Sequence, residues 1–391
     1  MKQYSLNKFK ENKKMKKKIK VTITVILIAF TIIVFALYIA NSSFRKFVDI
    51  HILRKEILES DAVQLKIDAQ ELSYIGVMNN KVVTINGGVL TFYSDKGKEE
   101  EKLDVILSNP ISDTESKYLV LGDKGGNKIY LINDNAIKWE KEIEGKISKV
   151  SVSKSGYVSV VITGTTYESI VAVYDTNGNN LFNHYLSRTY VIDSDISKDE
   201  KYLAIGEIDY TGASPKSKIK IISIENAQNN KDKAIVYTYN GDNGDIITDL
   251  NYQEKDQVLC MFDSYVLSVN PKGHNKVYTI NENTLFTDVN LKKQYVKIEK
   301  ESAKIFKSEY RMKISEVNNK KEKLYALDGN VKMLKTSDNM IAVVSSTNIE
   351  FIKKNGWLSK RYVGSKEIKN LCVSDKIAAI IYKDRIDIVT F

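Results

Sequence analysis

Apolar residues along this chain keep two different periods. The first stretch is unbroken: VTITVILIAFTIIVFALYIA, Val21 to Ala40, twenty residues without a charge, Pro or Gly. As a helix rising 1.5 Å per residue it spans about 30 Å, the thickness of a bilayer's hydrocarbon core. The pattern predicts a transmembrane helix over 21–40. A cleaved signal peptide would have a shorter apolar run ending in small residues, whereas Tyr38 stands two places before Ala40. In the next segment, 41–61, Phe44, Phe47, Ile50, Leu53 and Ile57 recur at spacings that put them on one face of a helix. That reads as a helical stalk or linker, either simply extending the span or dimerising or lying along the headgroups.

From residue 62 onward the helical spacing stops, and short runs rich in Val, Ile, Tyr and Thr follow one another. A polar turn feeding such a run recurs: SDTESKYLVLG from 112, SKSGYVSVVITG from 153, SKDEKYLAIG from 197, YQEKDQVLCMF from 252, LKKQYVKIE from 291, TSDNMIAVVSS from 336 and VSDKIAAIIY from 373. A weaker copy, MNNKVVTIN, begins at 78. The runs start near Val82, Tyr118, Tyr157, Tyr202, Val258, Tyr295, Met340 and Ile377, about 42 residues apart, the period of propeller blades. A second hairpin follows several of them, with Gly97, Gly178, Gly273 or Gly356 at its turn, where a positive φ is needed. Each unit therefore predicts four antiparallel strands. Residues 368–391 supply only three, and Ala62–Asp68 is the expected fourth, joining the two ends of the domain in one blade. The expected fold is all-β: an eight-bladed β-propeller over 62–391, or a seven-bladed one if the copy at 78 is not a blade.

At this level the repeats resemble known families. SKDEKYLAIG looks like the inner hairpin of WD40-like propellers, and VYDTNGNNLF is similar to the outer hairpin of PQQ-type, quinoprotein-like repeats. The whole arrangement, a Lys tail, one apolar span and such a propeller, resembles a family of clostridial single-pass membrane proteins of unknown function. The resemblance implies the fold and little about activity, because propellers host unrelated functions. A PQQ enzyme would imply a calcium-bound quinone in the channel and repeated Trp docking motifs. Only Trp139 and Trp357 exist, so no cofactor is expected.

Charge changes the picture by where it sits. The formal net charge is +10, but nine Lys against Glu11 give residues 1–20 alone +8. The basicity belongs to a tail, and a nucleic-acid partner loses its support. Lys-rich flanks stay in the cytoplasm, which places the N-terminus inside and the propeller in the extracytoplasmic space. The tail can also rest against anionic lipid. There are 53 Lys and 6 Arg with abundant Asn and Ile, a bias that points to a low-GC Gram-positive bacterium.

Candidate chemistry is thin. Cys260 and Cys372 lie in apolar runs and read as core thiols rather than a disulfide. His51, His184 and His274 have no metal or catalytic spacing and read as surface residues. DTNGNN, Asp175–Asn180, lacks the acidic twelfth position of a calcium loop and reads as a hairpin turn. Asp242, Asp245 and Asp249 in GDNGDIITD are weak metal candidates. No nucleophile elbow, phosphate loop or dinucleotide fingerprint occurs, and no catalytic residue is predicted. The loop EIDYTGASPKSK, Glu207–Lys218, interrupts a blade hairpin, and Tyr210, Gly212 and Pro215 mark it as an interaction loop. The expected function is a non-enzymatic protein-interaction platform at the cell envelope, binding an envelope or membrane protein. The alternative is a propeller that binds or hydrolyses a cell-wall glycan or peptide in its channel. A cluster of carboxylates and aromatics at the channel mouth would favour that alternative.

Overall fold

A computed structural model of the chain describes residues 2–301, 310–317, 319, 321–327 and 329–391, with side chains from residue 15 onward; those of the first fourteen residues of the basic tail lie outside it. Two compact units result, Met1–Lys55 and Glu56–Phe391.

The first unit begins with one helix, Lys2–Ala40. Its stretch Met15–Ala40 is long and apolar enough to cross a membrane, with none of its most apolar window buried. Residues 41–61 do not continue as one helix. Asn41 turns extended and its side chain accepts a hydrogen bond from the Phe44 amide, capping a short helix Ser42–Phe47. A single π-helical turn, Val48–Ile52, follows, and Arg54 at φ 50 ends it. Asp49 is wholly buried; it accepts from the Tyr38 hydroxyl at 2.7 Å and pairs with Lys55 at 2.8 Å.

The second unit holds eight sheets, one per blade; blades 1 to 6 each have four antiparallel strands in chain order, and blades 7 and 8 take a further strand from the start of the domain. Blade 1 starts at Tyr74, and the expected weak copy at 78 is its first hairpin. The first strands of neighbouring blades touch one another, which puts them innermost, around the axis. Alternation within a strand gives each blade two faces. In the second strand of blade 3, Val158, Val160 and Ile162 pack on blade 2, while Val161 packs on blade 4. Gly97, Gly178, Gly273 and Gly356 take φ between 72° and 83° at the outer hairpins, as the sequence requires.

The ring closes where the ends meet. Val63–Leu65 pairs antiparallel with Ile386–Ile388 and completes blade 8. The strand just before it was not legible: Glu56–Leu58 runs parallel to Leu358–Val363 and adds a fifth strand to blade 7. Arg385 fastens this closure. It bonds Asp387 at 2.8 Å, reaches Glu59, and lies 4.3 Å from the Tyr382 ring centroid. Asp387, with no exposed surface, also accepts from the Tyr362 hydroxyl at 2.7 Å. Burial is the main reason the Tyr382 phenol is pushed up to about 12.

The seams differ in kind. Between blades 2 and 3 the cluster from Tyr118 to Tyr174 is almost wholly apolar. Between blades 5 and 6 the buried apolar cluster is Leu259, Val266, Val289 and Tyr295 among the described residues. There the second strand of blade 6 presents Tyr295, Lys297 and Glu299 where blade 3 presents Val158, Val160 and Ile162. Lys297 is 6% exposed and Glu299 3%, with Lys313 on Glu299 at 2.7 Å. Such a buried ion group adds little net stability but is costly to break.

Candidate functional site

Two places concentrate polar or aromatic groups: the axis, and the rim of blades 3 and 4.

At the axis, a side-chain hydrogen bond from an innermost strand or its turn crosses every seam. Ser112 Oγ donates to the Tyr74 hydroxyl at 2.9 Å between blades 1 and 2. Asp113 accepts the Val152 amide at 2.8 Å, and Ser151 Oγ donates to Asp195 at 3.0 Å. Asp195 in turn accepts the Tyr252 amide at 2.8 Å. Gln253 Nε2 donates to the Val289 carbonyl at 2.6 Å, and Thr336 donates to Asp288. Ser337 Oγ and the Asn339 amide both donate to Asp375 at 2.8 Å. Ser374 Oγ closes the circle on the Asn79 carbonyl at 3.0 Å.

Deeper in the shaft, Lys149 Nζ stands 3.1 Å from Asp193, whose other oxygen accepts the Leu250 amide at 3.3 Å. Burial pushes the Asp193 carboxyl well above the usual range; Lys149 opposes this, and the neighbouring Asp249 reinforces it through a shared hydrogen bond. Burial likewise raises Asp195 to about 6 despite Lys198 and its donors. At the turn end, Lys198 of blade 4 reaches across to Glu115 of blade 2 at 2.7 Å, skipping blade 3. The carboxylates anticipated as a possible channel cluster are therefore present, but most are committed to holding neighbouring blades. None of the described residues form a group of three His, Cys, Asp or Glu placed to hold a metal ion.

At the rim, the hairpin of blade 4 pairs in register as far as Asp209 and Lys216, so the loop proper is 210–215. Asp209 shapes its start, accepting the Thr211 amide at 3.0 Å and Lys218 Nζ at 3.1 Å. The Thr211 hydroxyl, which donates to it at 2.6 Å, together with those two donors holds its carboxyl well below the usual range. Tyr210 is 54% exposed and meets Tyr190 edge-on at 6.0 Å. Gly212 is exposed, and the Pro215 carbonyl accepts the Gly244 amide at 2.9 Å. The Tyr190 hydroxyl bonds Glu168, and beside Glu168 the Tyr167 ring lies 4.8 Å from that of Tyr185. All four Tyr are exposed by 38% to 54%.

Of the metal candidates, Asp245 accepts the Asp242 amide at 2.9 Å and the Tyr265 hydroxyl at 2.8 Å. Asp249 instead belongs to the innermost strand Ile247–Tyr252, beside Asn290 and Asp193. Asp175 accepts the amides of Asn177 and Asn179 at 2.8 and 2.9 Å, a hairpin turn. Cys260 and Cys372 carry free thiols. His51 and His274 are exposed, but His184 is not the surface histidine expected. It is half-buried against blade 4, its Nε2 lacks a hydrogen-bond partner, and burial, with Lys220 nearby, pulls its pKa down to about 4.

The sequence profile of one family matches residues 56–391, a span that starts at the strand on blade 7. The chain belongs to DUF5711, a family of unknown function. No curated protein matches it. The DUF5711 chain is similar in fold to BamB from Moraxella catarrhalis, 12% identical, TM-score 0.47, over 84% of this chain and 98% of that one. Hydrazine synthase of Kuenenia stuttgartiensis is 14% identical, TM-score 0.47, over 84% and 97%. The Pan2 WD40 domain of Neurospora crassa is 12% identical, TM-score 0.46, over 71% and 87%.

Proposed function

We propose that the DUF5711 propeller is a membrane-anchored, extracytoplasmic platform that binds another envelope or membrane protein and performs no chemistry itself. The observation that carries this reading is how the polar groups are used. Hydrogen-bonding side chains at the axis are spent on the neighbouring blade. The aromatic rings at the rim of blades 3 and 4 stay exposed, on loops and strand ends of a rigid scaffold. The apolar helix within Met15–Ala40, behind a Lys-rich tail, supports anchorage with the N-terminus inside. Retention of that helix as an anchor limits the search for a partner to the plane of the membrane.

Crosslinking of the full chain in intact cells tests the platform: one reproducible protein adduct is expected, and its absence under conditions that crosslink known membrane neighbours contradicts it. A specific observation keeps a second reading in view. Lys149, Asp193 and Asp249 bring one ammonium and two carboxyl groups together deep in the axis, a constellation that suits a polar glycan or peptide. Release of soluble fragments from purified cell walls by the detergent-solubilised chain, lost in Asp249→Asn, would replace the first reading by this one.

A further inference from the structure

The rim patch has a composition that narrows what it binds. Of the four Arg in the propeller, Arg311 pairs with Glu301 at 3.0 Å, Arg361 with Glu56 at 3.5 Å and Arg385 with Asp387 at 2.8 Å. Arg188 is exposed, and no ion pair involves it among the described residues. It occupies the two-residue connection between Leu186 and Thr189, with Tyr185 just before it and Tyr190 just after. In a chain that uses Lys for nearly every other cation, this position carries the planar guanidinium, five fixed donors suited to a carboxylate.

The aromatic groups around it are held rather than loose. Tyr167 and Tyr185 pack at 4.8 Å, Tyr190 and Tyr210 at 6.0 Å. Thr165 Oγ accepts the Tyr167 amide at 3.1 Å and shapes its loop, as Asp209 shapes that of Tyr210. The Val191 amide donates to Ser169 at 3.1 Å, which ties the two blades together beneath the patch. Exposed Tyr on pre-shaped loops and strand ends, beside an exposed Arg that enters no ion pair among the described residues, is a composition found at protein-recognition surfaces, where Tyr and Arg are enriched. Rigid aromatic rings bury large area at low entropic cost, and the Arg188 guanidinium favours a negative group facing it, the nearby Lys218 being paired with Asp209.

We propose that Tyr167, Tyr185, Arg188, Tyr190 and Tyr210 form the docking surface for a protein partner that places an Asp or Glu carboxylate on Arg188. This rests on the platform reading and names the place and chemistry of contact. A photocrosslinking residue, benzoylphenylalanine, introduced into the full chain in living cells at Tyr185 or Tyr210, is compared with one at Asn177, an exposed turn at the opposite ends of the same blade's strands. The expected result is one shared protein adduct from the two rim positions and none from Asn177. Its crosslinked peptide should contain Asp or Glu, and Arg188→Glu should lower its yield at least about tenfold. Tyr190→Ser, which leaves Arg188 in place, should lower it also, which keeps the test open if Arg188→Glu fails to accumulate. An unchanged yield in both variants, or adducts to glycan strands, overturns the proposal. Adducts from Asn177 alone sink this surface and leave the platform standing. No protein adduct from either face sinks both.

Discussion

The axis and the rim of this propeller use the same kinds of side chain to opposite ends. At the axis, Asp113, Asp195, Asp288 and Asp375 each receive a donor from the neighbouring blade. At the rim of blades 3 and 4, Arg188 and four Tyr rings stay exposed on loops and strand ends. A polar group with its hydrogen-bonding capacity filled inside the fold stabilises the fold; one left facing water is free to be filled by something else. The contrast teaches that clustering of carboxylates along a propeller channel is not by itself a mark of catalysis.

Substitutions sharpen that contrast. The largest effect belongs to the closure, where Arg385→Ala leaves Asp387 buried without its cation. It should cost about 3–5 kcal/mol in denaturant unfolding. At the axis Asp195→Ala removes the acceptor of the Tyr252 amide and Ser151 hydroxyl and should cost about 2–3 kcal/mol. Its acidity gives a subtler readout. The folded pKa, about 6, lies above the ordinary 3.8, so the folded state holds this proton more tightly than the unfolded one. The contribution favours folding below about pH 4 and is lost as pH rises towards 6. Unfolding measured at several pH values should therefore show the stability of wild type relative to Asp195→Asn declining across that window. A flat difference would mean the carboxylate is solvated and not enclosed. The smallest effect is at the rim: Tyr210→Ala should shift unfolding by no more than about 0.5 kcal/mol, as expected of an exposed side chain.

Much of the fold was legible because blades repeat. The polar turn before each apolar run, Gly at the outer hairpins and the missing fourth strand at Ala62–Asp68 sufficed to predict eight blades and their closure. The strand Glu56–Leu58 escaped because three residues at the end of a helical stripe carry no period of their own. The axis circle was hidden for a different reason. Asp113, Asp195 and Asp288 stand near the ends of innermost strands, where Asp reads as ordinary turn chemistry, and only the ring brings each to its neighbour. A recurrent Asp just ahead of the polar turn, in ISDTE, DSDIS and FTDVN, is the signal that was there to find. Tyr210 stood out because its loop breaks a repeat. Tyr167, Tyr185 and Tyr190 did not, since Tyr at such places is equally a packing residue, as the buried Tyr118 and Tyr295 are.

One measurement separates the two regions most directly: the yield of the protein adduct from a photocrosslinker at Tyr185, read in two variants chosen to leave the blades folded. Asp249→Asn alters the shaft, and Tyr190→Ala strips the rim. Retention of the adduct in the first and its loss in the second is the predicted result; loss in the first with retention in the second would place the working surface in the channel and contradict the account.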